Sequence, residues 1–346
     1  MNRISYDDLC AFTRAVLDAL GLDAFSAEAV TTGLCETSLR GVDSHGIRLL
    51  PHYVRATDAG RRNPRPDFKI TQRFPTIARL DADNGFGHAA GMRAIDHAME
   101  TADAYGTGVV GVINSSHPGA MASYALRAAR RGYVGFAFTH ADSLLLSHGG
   151  TRPFFGTNPV CVAAPREEQH PFCLDMATSV YPWNKVMHHG ARGEKLPAGI
   201  AADAEGRETR DPEAARSLLP AGDYKGYGLA AMVEMLCAIF TGTAFGPALL
   251  PMYDSPLEEP RRLGQFYMVL RCDGCVPAQA FRARLQEMTE AVRREPALPG
   301  ESVMLANDPQ IQAEERRLRD GIPLDKVTLE ELKALSERFG VALRMQ

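Results

Sequence analysis

No apolar run in this chain of 346 residues approaches the roughly 18 consecutive residues that a bilayer-spanning helix needs. The opening "MNRISYDDLC" is acidic where a secretory signal requires a basic stretch and then an apolar one, so a cytoplasmic protein with no membrane partner is expected. A basic surplus is missing too. Lys and Arg number 38 against 42 Asp and Glu, a net charge of -4, and the cations are scattered among acids. That argues against nucleic acid, whose phosphates call for clustered cations. Cysteine is sparse and odd in number, seven in all, which fits reduced thiols better than a disulfide framework. The single CxxC, Cys272 and Cys275 in "RCDGC", has no second pair to complete a zinc site and reads as a turn. No HExxH, no Cys/His pair at ligand spacing and no acidic cluster accompany the ten histidines, so no metal is expected. A GxSxG nucleophile elbow is also absent. What remains, at 45% apolar and 23% charged residues, is an ordinary globular composition suited to small-molecule chemistry.

Two helices open the chain. Ser5 and Asp8 form a capping pair ahead of Leu9, Phe12, Val16 and Leu20 at helical spacing, and Gly21 closes the run. A second helix is expected from Ser26 to Gly41, and the Pro- and Arg-rich "RRNPRPDF" at 61–68 ends this helical unit. From about residue 75 short β-rich runs ("TIARL", "GVVGVI", "VGFAFT") alternate with Ala-rich helical runs, the pattern of an α/β core. The polar segment around 201–215 reads as a surface excursion. The helix near Gly226, apolar on almost every side, is expected to be central. Two more helices end the chain, the last opening with the "TLEE" box at Thr328.

Several stretches could carry chemistry. In "GFGHAAG", Gly85, Gly87 and Ala90 match the GxGxxA form of the dinucleotide fingerprint. Four residues including Asp81 and Asp83 separate it from its strand, and two acids beside a pyrophosphate repel it, so a glycine-rich helix start is the better reading. The strand Val109 to Ile113 ends in a polar loop carrying His117, at the strand end where ligand crevices of α/β sheets form. "GVDSHGIRLL" places Ser44, His45 and Arg48 within five positions. Arg48 offers the planar fork that grips a carboxylate, and Ser44 and His45 add short-range donors or a proton relay. "FGTNPVCVAAP" and "CLDMATSVYPWNKV" put strands beside small polar residues, which lets backbone approach a bound molecule. Lys225 directly precedes a helix start with Gly226 and Gly228, where a cation and a positive dipole end coincide as a phosphate seat.

The ordered motifs "SHGIRLLPHYV", "SSHPGAMASYA", "GTNPVCVAAP", "DMATSVYPWNKV", "KGYGLAAMVEMLCAIFTGTAFG" and "MYDSPLEEPRRLGQF" make nearly the whole chain similar to the malate/L-lactate dehydrogenase family. That family also includes ureidoglycolate, sulfolactate and diketogulonate enzymes and reductases of cyclic imines, and the "MYD" with "LGQ" segment resembles ureidoglycolate dehydrogenase. The resemblance implies an α/β fold with a three-layer, mixed-sheet, non-Rossmann cofactor domain over residues 75–294. A helical domain would combine residues 1–74 with helices of about 295–346. It implies NAD or NADP as cofactor, a small 2-hydroxy or 2-oxo acid as substrate and a homodimer or larger homo-oligomer. Matched by motif, His117 corresponds to the proton-transfer histidine, and Ser44, His45 and Arg48 to the substrate side. Lys225 corresponds to the cofactor-binding lysine, and Asp175, Met176 and Ala177 to the cofactor-contacting segment. Ala141 stands where some relatives carry a cofactor-contacting serine, Ser116 where many have asparagine, and Asn184 where glycine precedes the lysine. A reductase of cyclic 2-imino acids and a catalytically silent binding protein are the two alternatives.

Overall fold

The computed structural model describes residues 2–167 and 170–346. Its frame is a seven-stranded sheet in the spatial order Lys69–Phe74, Ile77–Asp81, Thr107–Ser115, Leu263–Arg271, Tyr133–Thr139, Val160–Ala164 and Phe172–Met176. Ile77–Asp81 and Thr107–Ser115 run parallel, while the other neighbours are antiparallel. A Rossmann domain needs a mostly parallel, doubly wound sheet. This sheet is mixed, as the resemblance implied, and the dinucleotide fingerprint at Gly85 and Gly87 has no Rossmann strand order to serve.

Side chains alternate across the sheet with the period of two that a pleated strand imposes. Val110, Val112, Tyr267 and Val269 join the main core with helices Gly87–Tyr105 and Ala122–Arg130. Val109, Phe136, Phe138 and Phe266 turn the other way, against Val233 and Cys237 of the helix Tyr224–Glu234 and its π-helical continuation Met235–Ile239. Helix, sheet and helix make three layers, which is why the central strands are apolar on both faces.

The chain ends meet. Asn2–Ile4 pairs antiparallel with Ile322–Leu324, and helix Tyr6–Ala19 packs on both Ala24–Leu39 and Lys326–Phe339. Ser5 caps the first helix as expected, its hydroxyl accepting the Asp8 N–H at 3.0 Å. The second begins earlier than Ser26, because the Asp23 carboxylate accepts the N–H groups of Phe25 and Ser26 at 3.0 Å each. Likewise Asp325, accepting the Thr328 N–H at 2.9 Å, caps the last helix in place of Thr328. In both cases a carboxylate two or three residues upstream satisfies the free amides of the first turn.

The helix expected to be central is covered on one side only. Leu229, Met235, Ile239 and Phe240 are 40%, 51%, 59% and 50% exposed, because the sheet takes one face and no further layer lies outside it among the described residues. The excursion near 201–215 supplies short strands, Ala201–Ala202 and Glu208–Thr209, to a small five-stranded sheet. Cys272 begins the turn after Leu263–Arg271, and all seven cysteines are free. Among the described residues no helix is long and apolar enough to cross a membrane, and no group of three or more His, Cys, Asp or Glu could hold a metal ion.

Candidate active site

The site starts where strand Thr107–Ser115 runs out. Asn114 leaves the strand with φ at 51° while its side chain donates to Asp81 at 3.0 Å. The loop beyond is pinned from below. Gln265 donates to the Ser115 hydroxyl at 2.9 Å and the Ser116 carbonyl at 3.0 Å, and the Gly87 N–H donates to the Ser116 hydroxyl at 2.9 Å. A Cβ on Gly87 would lie 2.1 Å from the Ser116 carbonyl oxygen and 2.7 Å from the His117 carbonyl carbon. The glycine-rich helix start is therefore a packing device that brings a helix onto the loop of His117.

On that rigid loop His117 is half-buried. Its Nδ1 lies 2.8 Å from the Tyr53 hydroxyl and accepts the Gly119 N–H at 3.3 Å, while Nε2 has no hydrogen-bond partner among the described residues. Across from it stands His45, ring centroids 5.8 Å apart and planes 21° from parallel. Ser44 holds His45 through a 2.8 Å hydrogen bond at Nδ1. This pair comes from the 3-10 turn Asp43–His45, packed on Ser38 at the end of the second helix, where a Cβ on Gly46 would be 2.1 Å from the Ser38 hydroxyl.

The surroundings are cationic. Arg48, half-buried, makes no hydrogen bond or ion pair among the described residues. Arg62 is 2% exposed and stacks on Tyr53, 4.1 Å from the ring centroid, and on Phe86 at 5.2 Å. Arg261 pairs with Asp142 and donates to the Leu250 carbonyl at 2.7 Å. Burial first, and then the charges of His45, Arg261, His88 and Arg62, hold the His117 imidazole well below its ordinary value. Burial and the neighbouring Arg48 push His45 down to about 4. Both rings are thus neutral near pH 7, whereas an unperturbed imidazole of pKa about 6.5 would populate both forms.

The residues matched to the cofactor lie at the same end of the sheet, toward its Phe172–Met176 edge. Asp175, on the edge strand Phe172–Met176, accepts the Ala122 N–H at 2.8 Å, at the start of the helix that follows the His117 loop. Beyond Met176 and Ala177, the Thr178 carbonyl accepts the Ala221 N–H at 2.9 Å. That contact sets the segment beside the start of the helix that bears Lys225, itself exposed and unpaired among the described residues. The Ala141 N–H donates to the Asn158 side chain at 3.0 Å. Asn158 in turn donates to the Ala230 carbonyl at 3.0 Å and to Glu234 at 2.7 Å, which fixes the Ala141 loop to the Lys225 helix. A free ammonium at a helix start and the edge strand Phe172–Met176 form a donor set that fits the phosphates and amide of a dinucleotide.

So the structure brings Ser44, His45 and His117 together with the charge of Arg48 beside them, ties the Ala141 loop and the segment after Ala177 to the Lys225 helix, and sets Asp175 on the start of the helix after the His117 loop. No direct contact joins Lys225 to His117 among the described residues. Tyr53, Arg62, Arg261 and Asp142 escaped the sequence reading. Tyr53 falls on the buried stripe of helix Leu50–Asp58 with Leu50 and Val54, where it reads as core, although a buried tyrosine hydroxyl calls for a partner.

The sequence profile described as malate/L-lactate dehydrogenase matches residues 4–333. The chain belongs to the malate/L-lactate dehydrogenase family. It is 35% identical to a malate dehydrogenase of Pyrococcus abyssi over 98% of this chain and 95% of that one. It is 33% identical to the NAD(+) ureidoglycolate dehydrogenase of Escherichia coli K12 over 86% and 85%. The crystal structure of malate dehydrogenase from Entamoeba histolytica superposes with a TM-score of 0.93 at 28% identity, covering 99% of both chains. Membership in this family implies a nicotinamide cofactor.

Proposed function

We propose that this family member moves hydride between a nicotinamide cofactor, NAD or NADP, and C2 of a small 2-hydroxy acid or its 2-oxo counterpart. The observation that carries the reading is the free Nε2 of His117 at a strand end, with the His45 ring stacked 5.8 Å from the His117 ring and Arg48, unpaired among the described residues, beside them. Arg48 grips the substrate carboxylate with its two parallel N–H groups and so orients C2. His117 carries the proton that the substrate oxygen gains or loses. Ser44 fixes the His45 ring, which polarises that oxygen. Lys225, with the backbone of Asp175, Met176, Ala177 and Ala141, holds the cofactor, which when bound supplies or accepts the hydride. Arg48, Arg62 and Arg261, with Asp142 as the one carboxylate paired to them among the described residues, favour an anionic substrate.

The working unit is proposed to be a homodimer, supported by the apolar outer face of the Lys225 helix. A panel of malate, lactate, ureidoglycolate, sulfolactate and a cyclic 2-imino acid, each with both cofactors, tests the reading. Turnover of a hydroxy acid is expected, and His117→Ala should abolish it while cofactor fluorescence titration is unchanged. Turnover restricted to the imino acid would replace the substrate class, and no nicotinamide binding at all would remove the reading.

A further inference from the structure

We infer that Tyr53 supplies the proton that His117 hands to the substrate oxygen, and that Arg62, stacked on the Tyr53 ring, holds the phenolate left behind. The inference rests on the function proposed above and assigns two residues beyond it.

The tautomer of His117 is set by geometry. Nδ1 is approached by the Gly119 amide at 3.3 Å, a group that can only donate, so Nδ1 carries its lone pair and the Tyr53 hydroxyl at 2.8 Å donates to it as well. The proton of the neutral ring then sits on Nε2, the edge open to substrate. Such a ring can give Nε2–H to a ketone oxygen, but alone it would be left as an imidazolate. Nδ1 must gain a proton as Nε2 loses one. An amide cannot provide it, and Tyr53 is the remaining donor in contact.

Arg62 completes the arrangement. Its guanidinium is buried and makes no hydrogen bond among the described residues, with Nε and Nη1 both unpaired, although an unpaired buried cation is strongly disfavoured. The faces of Tyr53 and Phe86 offset part of that cost. Of the two rings stacked on Arg62, that of Tyr53 becomes a counter-charge when it loses its proton, so the Arg62 interaction is stronger in the transition state than at rest, which is the condition for catalysis. Burial lowers Arg62 to about 10, still charged near neutrality. Tyr53 is raised well above its ordinary value by burial, against the lowering pull of Arg62 and Arg261. His88 packs on the Tyr53 ring at 5.6 Å, and Tyr253 adds to the rise.

In the reductive direction hydride brings two electrons to C2, and the carbonyl π pair moves to oxygen. The Nε2–H bond breaks as the substrate O–H bond forms, and the Tyr53 O–H bond breaks as Nδ1–H forms. After product leaves, the open Nε2 takes a proton from water as the Nδ1–H bond breaks and its proton returns to the buried Tyr53 oxygen, which restores the starting tautomer, so one hydride and one solvent proton are consumed per turnover. Oxidation runs the same steps backwards and starts from the phenolate, so its rate should climb into the alkaline range.

The test begins with ¹⁵N-histidine NMR of the free protein, His117 being assigned by its loss in His117→Gln. A neutral ring with bare Nδ1 and protonated Nε2 is expected near pH 7; an imidazolium or the opposite tautomer overturns the inference. Tyr53→Phe keeps the ring and should lower kcat about 100-fold or more without weakening cofactor binding. Arg62→Met should move the alkaline rise of the oxidative rate to higher pH, and Arg62→Lys should restore it. Wild-type rates in Tyr53→Phe, or a profile that Arg62→Met leaves in place, overturns the proposal. If the protein oxidises no hydroxy acid, the function proposed above fails instead, and the NMR result still decides the tautomer.

Discussion

Arg48 and Lys225 are both cations without a partner among the described residues, yet they are asked to do different work. Arg48 lies near His45, whose depressed pKa registers its charge, and a carboxylate bound there would take two parallel hydrogen bonds. Lysine keeps the charge and loses the fork. Arg48→Lys should therefore raise KM for the acid and lower kcat/KM by about 10- to 100-fold, the size of one to two charge-assisted hydrogen bonds, while cofactor affinity stays put. Lys225→Ala should show the reverse pattern, with cofactor affinity weakened and the acid's KM little changed. Steady-state kinetics paired with fluorescence titration separates the two, and equal effects of both variants on both ligands would dissolve the division of labour. The Arg48 cluster was legible because three polar residues in five positions stand out from an apolar run. Arg62 was not, because in a Pro- and Arg-rich link every arginine looks solvated until the fold lays one of them on a tyrosine ring.

At the scale of elements, the helix Gly87–Tyr105 starts at the glycines read as a helix entry and shows what that entry serves. Glycines at 85 and 87 mark a close approach, and sequence alone offers a phosphate or a neighbouring backbone as the thing approached. For Gly87 the fold selects the backbone of Ser116 and His117, and for Gly85 the Pro66 ring and the Ala82 carbonyl. Gly87→Ala would place a methyl 2.1 Å from the Ser116 oxygen, and since that atom belongs to a loop pinned by Gln265 the strain cannot be relieved by a rotamer. Overpacking of this kind costs about 1–3 kcal/mol, and displacement of His117 should lower kcat more than KM. Gly190 makes the contrast. It sits inside helix Trp183–Ala191, and its Cβ would be 3.6 Å from Pro212, so Gly190→Ala should stabilise the protein by roughly 0.5–1 kcal/mol. Chemical denaturation of both variants checks the pair, and an unchanged stability in Gly87→Ala would mean that the loop yields. Strand alternation and helix periods were readable from residue 75 onward because they are local. The strand order, with Leu263–Arg271 inserted between Thr107–Ser115 and Tyr133–Thr139, depends on contacts more than a hundred residues apart and left no local trace.

Across the whole molecule, buried histidines tie stability to pH. His88 is 1% exposed with neither ring nitrogen hydrogen-bonded among the described residues, and burial, with Arg62 and His45, lowers it to about 3. The unfolded chain binds this proton at about 6.5 and the folded one does not. The contribution of His88 is therefore intact above pH 6.5 and is lost as pH falls toward 3, at up to about 1.4 kcal/mol per pH unit. Denaturation curves between pH 6.5 and 4 should be shallower by about one proton in His88→Leu, and an identical slope would mean that the ring is hydrated. The same scale governs the apolar stripe of Leu229, Met235 and Ile239, which the sequence presented as an interior helix and the fold leaves on the outside. A single copy leaves these side chains exposed, and exposed apolar surface of this kind marks an association site. It lies on the helix Tyr224–Glu234 that bears Lys225 and on its continuation Met235–Ile239, so a second copy seated there would brace the proposed cofactor seat. Because Met235 and Ile239 are more than half exposed, Met235→Glu and Ile239→Glu should change the stability of an isolated subunit by only about 0.5 kcal/mol while placing charges in the interface. Sedimentation equilibrium should therefore find the wild type dimeric and the double variant monomeric, with cofactor affinity falling alongside. A monomeric wild type, or a double variant that still assembles, would show that this face meets water and not a second copy.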